Sequence, residues 1–258
     1  MSIKVGIDLG STAIKVVFLE NREIVWKKVV PTIPGQAQVA NDLISEGLSE
    51  IGYSPDQLDD PVVTGYGKSL VHDAGKVIDE VSANALGVFL LSDHKARTVI
   101  NIGGQDVKVI RLSEAGKLID FKMNDKCAAG TGRFFEVAGR ILDTPVDDFG
   151  DLGQSSADTV NISSTCVVFA ESEIVSLMAK GIERQPIIRG LHESLARRIA
   201  GLAGNHDIED EVYLDGGSAN NRGLVAAIED ELCRDVHVLP YPQFSVAYGA
   251  ARSLDSMM

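Results

Sequence analysis

Two cysteines in this chain stand at the heads of predicted helices, in settings that resemble each other. Cys127 precedes a Gly-Thr-Gly turn, behind which apolar residues recur at helical spacing up to Leu142. Cys166 follows the Ser-Ser-Thr segment 163–165, whose residue types commonly cap helices, and 167–180 has the pattern of a helix. Because free N–H groups give a helix start a partial positive charge, both places favour an anionic ligand. The repeated setting suggests one shared task.

Counting ligands shows what that task requires. A tetrahedral zinc site or a cubane iron–sulfur cluster normally takes four protein ligands, whereas the chain offers only Cys127 and Cys166 in matching positions. The count is met if two chains meet on a twofold axis and each gives two thiolates. Cys233 lies in a helical pattern, so we expect it to pack in the core or at the helix end. From spacing alone, zinc, an iron–sulfur cluster and inert buried thiols remain three alternatives.

Glycine-rich turns form the second group of candidate residues. A predicted strand carries Asp8 near its end and is followed by the turn Gly10, Ser11 and Thr12. Small residues leave the backbone N–H groups of such a turn open to phosphate, and Asp8 could hold Mg²⁺ through water.

Two later turns have a similar character, although the chain contains neither a Walker A loop nor a GxGxxG motif. Gly103, Gly104 and Gln105 follow one strand, and Gly216 and Gly217 join another strand to a helix. We expect the three turns to converge on one polyphosphate in a cleft between two lobes. Either Gln105 or Glu80 could orient the attacking water, although Glu80 is also an ordinary acid for the first turn of a helix.

The elements that must position these residues follow from periodicity. A strand, a glycine-rich turn and a strand occur twice, about ninety-five residues apart, which indicates two similar lobes. An acidic loop is expected over 147–158. The predicted strands are 3–9, 13–20, 23–30, 61–64, 98–102, 107–112, 117–122 and 212–214, and the predicted helices 39–51, 81–91, 134–142, 167–180, 186–203, 220–232 and 245–254.

Composition narrows the class of protein. A chain of 258 residues and 27.6 kDa can bury a substantial core in one or two domains. A net charge of −13 argues against a nucleic-acid partner, because such binding depends on lysine and arginine. The chain has neither a long apolar run nor a signal-peptide pattern, so we expect a cytoplasmic protein without a membrane partner.

These motifs together resemble a known family. The segments GIDLGST (6–12), NIGGQDVK (101–108) and VYLDGGSANN (212–221) are similar to the two phosphate segments and the adenosine segment of the ASKHA superfamily. More specifically, MNDKCAAGTGRFFEV (123–137) and NISSTCVVFAESEI (161–174) resemble the 2-hydroxyacyl-CoA dehydratase activators and the related benzoyl-CoA reductase ATPase subunits. The resemblance covers essentially the whole chain.

The resemblance implies an α/β fold, the duplicated ribonuclease H-like fold of actin, hexokinase and Hsp70 ATPase domains. The first lobe would comprise 1–93 and 245–258, and the second 94–244. ATP or ADP with Mg²⁺ would be bound by the positions that match the family's loops, and Asp8, Gln105 and Glu80 would serve hydrolysis. The matching positions are Gly10, Ser11, Thr12, Lys15, Gly103, Gly104, Gln105, Gly216, Gly217 and Asn220.

The family's cysteine motifs imply one [4Fe–4S] cluster per homodimer, held by Cys127 and Cys166 of each chain. ATP hydrolysis would drive single low-potential electrons from the cluster to an iron–sulfur partner enzyme. This partner would be a 2-hydroxyacyl-CoA dehydratase or a double-cubane cluster protein, and reduced ferredoxin or flavodoxin would be the electron donor. The chain has Val-Ser-Ala-Asn at 81–84 where the family commonly has Thr-Cys-His, and its C-terminal Gly-Ala pattern also differs. These departures concern the identity of the partner.

Two alternatives come from other classes of protein. An ASKHA small-molecule kinase would transfer phosphate but would have no use for two cysteines at helix starts. A zinc-stapled dimer that senses nucleotide would use the same thiolates without catalysis.

Overall fold

The computed structural model describes residues 2–71, 74–124, 131–163, 166–204 and 208–255. The chain forms two compact units. Unit 1 comprises Met1–Ala96, Leu112–Leu118 and Gln243–Met258, and unit 2 comprises Arg97–Arg111 and Ile119–Pro242. The lobe limits expected from the sequence remain a prediction. None of the helices in the described ranges is long and apolar enough to cross a membrane.

A five-stranded mixed sheet forms the centre of unit 1, in the order β3-β2-β1-β4-β5. The first three strands are antiparallel, whereas β1, β4 and β5 run parallel, so the carboxyl ends of these three meet at one edge. The strands are β1 (Lys4–Leu9), β2 (Ala13–Glu20), β3 (Glu23–Pro31), β4 (Val62–Thr64) and β5 (Lys76–Val77).

Among the described residues, three helices cover the two faces of this sheet. Helix α1 (Gln36–Ile51) packs its apolar stripe on one face, in a core with β1 and β2. Helices α2 (Glu80–Leu91) and α8 (Ser245–Arg252) cover the other face and cross each other closely. A methyl group on Gly249 would lie 1.8 Å from the Ala83 carbonyl oxygen, so glycine is required at this crossing. The small residues of both helices allow this close packing.

Unit 2 is built on a second five-stranded sheet, in the order β10-β9-β6-β7-β8. Its β6 and β7 form the second hairpin, and β9 and β10 extend the sheet in parallel with β6. The strands are β6 (Thr98–Ile102), β7 (Val107–Leu112), β8 (Leu118–Met123), β9 (Val212–Asp215) and β10 (Val236–Val238). Alternate residues of β6, β7 and β9, together with Val236 of β10, contribute to one large apolar core.

In the part of unit 2 that the structure describes, five helices pack around this core. They are α3 (Gly132–Leu142), α4 (Phe149–Ser155), α5 (Val167–Ala179), α6 (Arg184–Ala203) and α7 (Arg222–Leu232). The expected acidic loop is wrong, because Val146–Asp148 forms a 3₁₀ turn and α4 follows it. The helix forms because the Phe149 ring is fully buried, and Gly150 and Gly153 allow close contact with neighbouring chain. The short strands β5 and β10 were also not predicted.

Candidate functional site

The turn between β1 and β2 is closed by its own backbone. The Gly10 N–H donates to the Ala13 carbonyl at 3.1 Å, and the Thr32 hydroxyl donates to the Gly10 carbonyl at 2.8 Å. The Thr32 N–H donates to the Thr12 carbonyl at 3.0 Å, so β3 supports the turn from outside. Ser11 and Thr12 are half-buried at its tip. These hydrogen bonds fix the turn as a short loop of small residues, as a phosphate-binding segment requires.

Asp8 and Lys15 face each other across β1 and β2, where they are register partners. The Lys15 Nζ lies 2.9 Å from Asp8 Oδ2, and only 3% of Asp8 is exposed. The other carboxylate oxygen, Oδ1, is buried and has no hydrogen-bond partner within the described ranges. An orphaned carboxylate oxygen beside a glycine-rich turn fits a hard cation such as Mg²⁺, which prefers oxygen ligands and retains several waters.

Glu80 lies at the same edge of the sheet, because it follows β5 and begins α2. The cap of this helix is Asp79, whose Oδ1 accepts from the Ser82 N–H at 2.8 Å. Burial alone would raise the pKa of Asp79, but hydrogen bonds from Ser82 and the charge of Lys68 outweigh it and lower the pKa. Glu80 itself is half-buried in the first turn. Unit 1 thus brings Asp8, Lys15 and Glu80 to one region, at the carboxyl ends of its parallel strands.

The second glycine-rich turn lies at the corresponding edge of unit 2. Its Gly103 N–H donates to the Asp106 carbonyl at 2.8 Å, and Gln105 is exposed at the tip. The first N–H groups of α3 contact this turn, since Gly132 and Arg133 donate to the carbonyls of Gly103 and Gly104, each at 3.0 Å. Helix α3 is therefore anchored directly on the turn.

The strand-to-helix turn after β9 lies next to it. The Asn101 amide donates to Asp215 Oδ1 at 2.9 Å, which joins the ends of the parallel strands β6 and β9. Gly216 has a φ of +88°, and a methyl group there would lie 2.2 Å from the Ile102 carbonyl oxygen, so only glycine fits. Gly217 and Asn220 are exposed in the 3₁₀ turn that follows. Unit 2 brings the two predicted nucleotide turns together.

The two predicted cluster ligands have different status. Cys127 lies outside the described residues. Cys166 is half-buried, is in no disulfide, and is itself the N-cap of α5, with its carbonyl accepting from the Ala170 N–H at 2.9 Å. The described ranges contain no group of three or more His, Cys, Asp or Glu side chains that could hold a metal ion. A thiol at a helix start suits a soft metal or a cluster that needs further ligands.

The expected cap of this helix was wrong in one respect. Ser163 does not cap α5, because its N–H and its hydroxyl both donate to Glu173 Oε1, at 3.1 and 3.0 Å. The other two predicted cap residues, Ser164 and Thr165, lie outside the described residues. Cys233 is exposed at the end of α7 with a φ of +50°, so the helix-end prediction is correct and the core alternative is wrong.

A cavity of about 400 Å³, which no sequence pattern indicated, lies between α4, α6 and α7. His192 lies at its base, and burial lowers the pKa of this imidazole to about 4. The histidine is held by Asn221, whose amide nitrogen lies 3.0 Å from Nε2. Arg189, Glu193 and other charged side chains line the opening. No motif marked His192, because its surroundings come from three separate helices.

Comparison with known proteins decides the family. The family model described as the BadF/BadG/BcrA/BcrD ATPase family matches residues 5–252. The chain belongs to this ATPase family. The resemblance noted in the sequence is therefore confirmed.

Relatives within the family agree closely in length. The chain is 44% identical over 247 residues to the activator of lactoyl-CoA dehydratase of Anaerotignum propionicum, with 95% of each chain covered. It is 44% identical over 248 residues to the (R)-2-hydroxyglutaryl-CoA dehydratase activating ATPase of Acidaminococcus fermentans, covering 95% of this chain and 94% of the relative.

Solved structures confirm the fold class. The activator of the 2-hydroxyisocaproyl-CoA dehydratase from Clostridium difficile, solved with bound ADPNP, superposes with a TM-score of 0.92 at 36% identity, covering 99% of this chain and 98% of that one. A glucokinase of the ROK family from Streptomyces griseus matches with a TM-score of 0.60 at 16% identity, covering 98% and 99%. The second similarity concerns the fold alone, and the fold is the ASKHA fold predicted from the sequence.

Proposed function

We propose that this protein is an ATP-dependent activator that reduces an iron–sulfur partner enzyme, one electron at a time. The observation that carries the proposal is the 44% identity, over 95% of the chain, to activators of 2-hydroxyacyl-CoA dehydratases. Cys166 supports the electron-transfer part, because it is a free thiol at the head of α5. A kinase on the same fold would have no use for a thiol in that place.

ATP is the substrate of the proposed reaction. The turn 10–12 with Lys15, the turn 103–105 and the segment of Gly216, Gly217 and Asn220 are proposed to contact the nucleotide. Asp8 would hold Mg²⁺ through a water on its Oδ1, which has no partner among the described residues. Gln105 or Glu80 orients a water that attacks the γ-phosphorus, the bond to the β-phosphate oxygen breaks, and ADP and phosphate leave. The bound nucleotide analogue in the related structure supports this assignment.

The second cofactor is proposed to be a [4Fe–4S] cluster shared by a homodimer. Cys127 and Cys166 of each chain would supply its four thiolates, and the cluster would provide a one-electron store of low potential. The Cys166 position fits a cluster because the free N–H groups of the first turn of α5 can donate to anionic sulfur.

The partner is proposed to be a 2-hydroxyacyl-CoA dehydratase or a double-cubane cluster protein, with reduced ferredoxin or flavodoxin as the donor. The dehydratase is favoured, because three relatives at 40–44% identity are named as activators of such enzymes. Their reactions differ in the acyl group. The partner is therefore assigned by class, as an enzyme that dehydrates a 2-hydroxyacyl-CoA.

The test is anaerobic reconstitution of the purified wild-type protein and of Cys166→Ser. We expect the wild type to bind iron and sulfide in equal amounts and to give an EPR signal on reduction. Cys166→Ser should lose both the cluster and electron delivery to the partner, but should retain nucleotide binding. The matched control is Cys233→Ser, because Cys233 is exposed at a helix end and is not a predicted ligand. This variant should behave like the wild type.

Three results would contradict the proposal. Zinc without iron in the purified protein would indicate the zinc-stapled dimer. Phosphate transfer to a small molecule that survives Cys166→Ser would indicate a kinase. A wild-type protein that shows neither colour nor an EPR signal after reconstitution would contradict the presence of an iron–sulfur cluster.

A further inference from the structure

Two buried side-chain oxygen atoms belong to neighbouring residues at the carboxyl ends of β1 and β4. Asp8 and Thr64 are register partners in this parallel pair, and their exposed fractions are 3% and 0%. Register partners in a parallel pair point their side chains to the same face of the sheet. This face is the one covered by α8, since a methyl group on Gly6 of the same strand would lie 1.9 Å from the Ala247 carbonyl oxygen.

Neither oxygen has a hydrogen-bond partner among the residues that the structure describes. Thr64 Oγ1 and Asp8 Oδ1 are both fully buried atoms. Buried polar atoms are nearly always paired, because an unmade hydrogen bond costs the full desolvation of the group. Lys15 accounts for the second oxygen of Asp8, at 2.9 Å, so Oδ1 is the atom left for another species.

The turn after β4 closes over the same carboxylate. Gly65 has a φ of +89°, and a methyl group there would lie 2.6 Å from Asp8 Oδ1. Both the backbone conformation and the space therefore require glycine. The Gly67 N–H donates to the Leu9 carbonyl at 3.0 Å, which fixes this turn against the end of β1. The turn and the two strands thus enclose a small polar site beside Asp8, and Thr64 supplies the second polar side chain of this site.

We infer that Thr64 is a positioning residue for nucleotide hydrolysis, whose hydroxyl holds a magnesium-bound water together with Asp8 Oδ1. A hydroxyl can accept from such a water or donate to the carboxylate, and Mg²⁺ retains several waters when it binds to proteins. Valine has the same shape and suits a buried strand equally well, so the hydroxyl is the feature that needs a reason. The inference rests on the proposed ATPase function and adds a residue to it.

The opposing explanation is a threonine with a purely structural hydroxyl. Thr98, at the start of β6, is such a residue and provides the comparison. It is also fully buried, but its hydroxyl donates to the Glu209 carbonyl at 2.9 Å and accepts from the Glu209 N–H at 3.0 Å. Replacing Thr98 by valine would leave two backbone groups unpaired, whereas the same change at Thr64 would break no hydrogen bond among the described residues.

The experiment compares Thr64→Val, Thr64→Ser and the control Thr98→Val. Without nucleotide, we expect Thr64→Val to melt at or above the wild-type temperature and Thr98→Val to melt lower. With ATP, Thr64→Val should need about tenfold more Mg²⁺ for half-maximal hydrolysis, which is the size of effect typical of groups that orient metal ligands. Thr64→Ser should restore the wild-type Mg²⁺ dependence, and Thr98→Val should retain it.

A second readout does not depend on turnover. The rise in melting temperature caused by ADP alone should be unchanged in Thr64→Val, while the additional rise caused by Mg²⁺ with ADP should be smaller than in the wild type. Thr64→Ala, which removes bulk as well as the hydroxyl, should show the same loss of the Mg²⁺-dependent rise.

Two outcomes would overturn the inference by itself. The first is a Thr64→Val protein with wild-type Mg²⁺ dependence in both measurements. The second is a nucleotide-free Thr64→Val protein destabilised as much as Thr98→Val, which would make the hydroxyl structural. If the wild type neither binds nor hydrolyses ATP, the proposed function itself fails and the inference fails with it.

Discussion

His192 illustrates how a single buried side chain in unit 2 joins several elements. Its Nε2 lies 3.0 Å from the Asn221 amide nitrogen, and the same amide group caps α7 by accepting from the Leu224 N–H at 3.0 Å. Because the amide oxygen is used by the cap, its nitrogen must donate to the imidazole. His192 is therefore required in its neutral form, and methyl groups on Gly153 or Gly223 would collide with its ring at 2.7 and 2.6 Å.

This requirement predicts a loss of stability in acid. Burial lowers the pKa of His192 to about 4 from its ordinary value of 6.5. The unfolded chain thus binds the proton more readily than the folded chain. The stability that the neutral His192 contributes is therefore complete above pH 6.5 and is lost as the pH falls towards 4. The full difference corresponds to about 3 kcal/mol. Urea unfolding of the wild type and of His192→Gln from pH 7 to pH 4.5 should show a weaker pH dependence in the variant.

The glutamine retains an acceptor for the Asn221 amide, so the α7 cap is preserved. His237→Gln is the control, because His237 is half-exposed on β10 and lies 3.8 Å from a Glu211 oxygen. The free energy of unfolding of His237→Gln should change with pH as that of the wild type does. Equal slopes for wild type and His192→Gln would show that the imidazole is not the group responsible.

At the scale of elements, the crossing of α2 and α8 depends on two glycines. Gly87 in α2 lies against the Ser245 carbonyl, where a methyl group would come within 1.9 Å, and Gly249 in α8 lies against Ala83 in the same way. The backbones of the two helices are therefore in direct contact. Both helices cover the face of the sheet on which Asp8 and Thr64 lie.

Gly249→Ala should lower the free energy of unfolding, because its methyl group would lie 1.8 Å from the Ala83 carbonyl oxygen and would force the helices apart. Overpacking of this kind typically costs about 1–3 kcal/mol. The control is Gly201→Ala in α6, where a methyl group would meet no atom within 4 Å. Alanine there should stabilise the protein by about 0.5–1 kcal/mol through helix propensity. Chemical denaturation measures both changes, and a neutral Gly249→Ala would contradict the packing described.

Sequence periodicity predicted most elements because their apolar stripes are long. Helix α6 and the antiparallel strands β1 and β2 are examples, with core residues at regular spacing. Helix α4 was missed because it contains two glycines and is stabilised by contacts with α6 and α7 that no local pattern encodes. The short strand β10 was missed because its three residues gain their partner only through the parallel pairing with β9.

The candidate site was predictable to a similar extent. Asp8 and the glycine turns could be predicted because small residues directly after an apolar strand are typical of phosphate-binding turns. Thr64 was not, because its importance depends on its register with Asp8 and on an unpaired hydroxyl, and both arise only when β4 pairs with β1. The N-cap of α5 was misplaced because three successive small polar residues offered equally good caps.

At the scale of the whole molecule, the negative charge of the chain opposes the association of two copies. Each chain carries a formal net charge of −13, so two copies repel each other. A homodimer that shares a cluster must therefore gain its stability from the shared ligands and from apolar contact. Helix α5 offers such contact in its first turn, directly after Cys166, where Val168 and Phe169 are 65% and 69% exposed.

Phe169→Ser should accordingly weaken the reconstituted dimer. If the thiolates of two Cys166 residues bind one cluster, the first turns of both α5 helices lie near the twofold axis, and Phe169 is the largest apolar side chain available there. Loss of a buried aromatic anchor commonly costs more than 1 kcal/mol, so the dissociation constant should rise about tenfold. Sedimentation of the wild type should give twice the 27.6 kDa of the chain. Ile33→Ser, at a residue that is 53% exposed in unit 1, is the control and should leave the dimer unchanged. A Phe169→Ser dimer as tight as the wild type would place the contact on another surface.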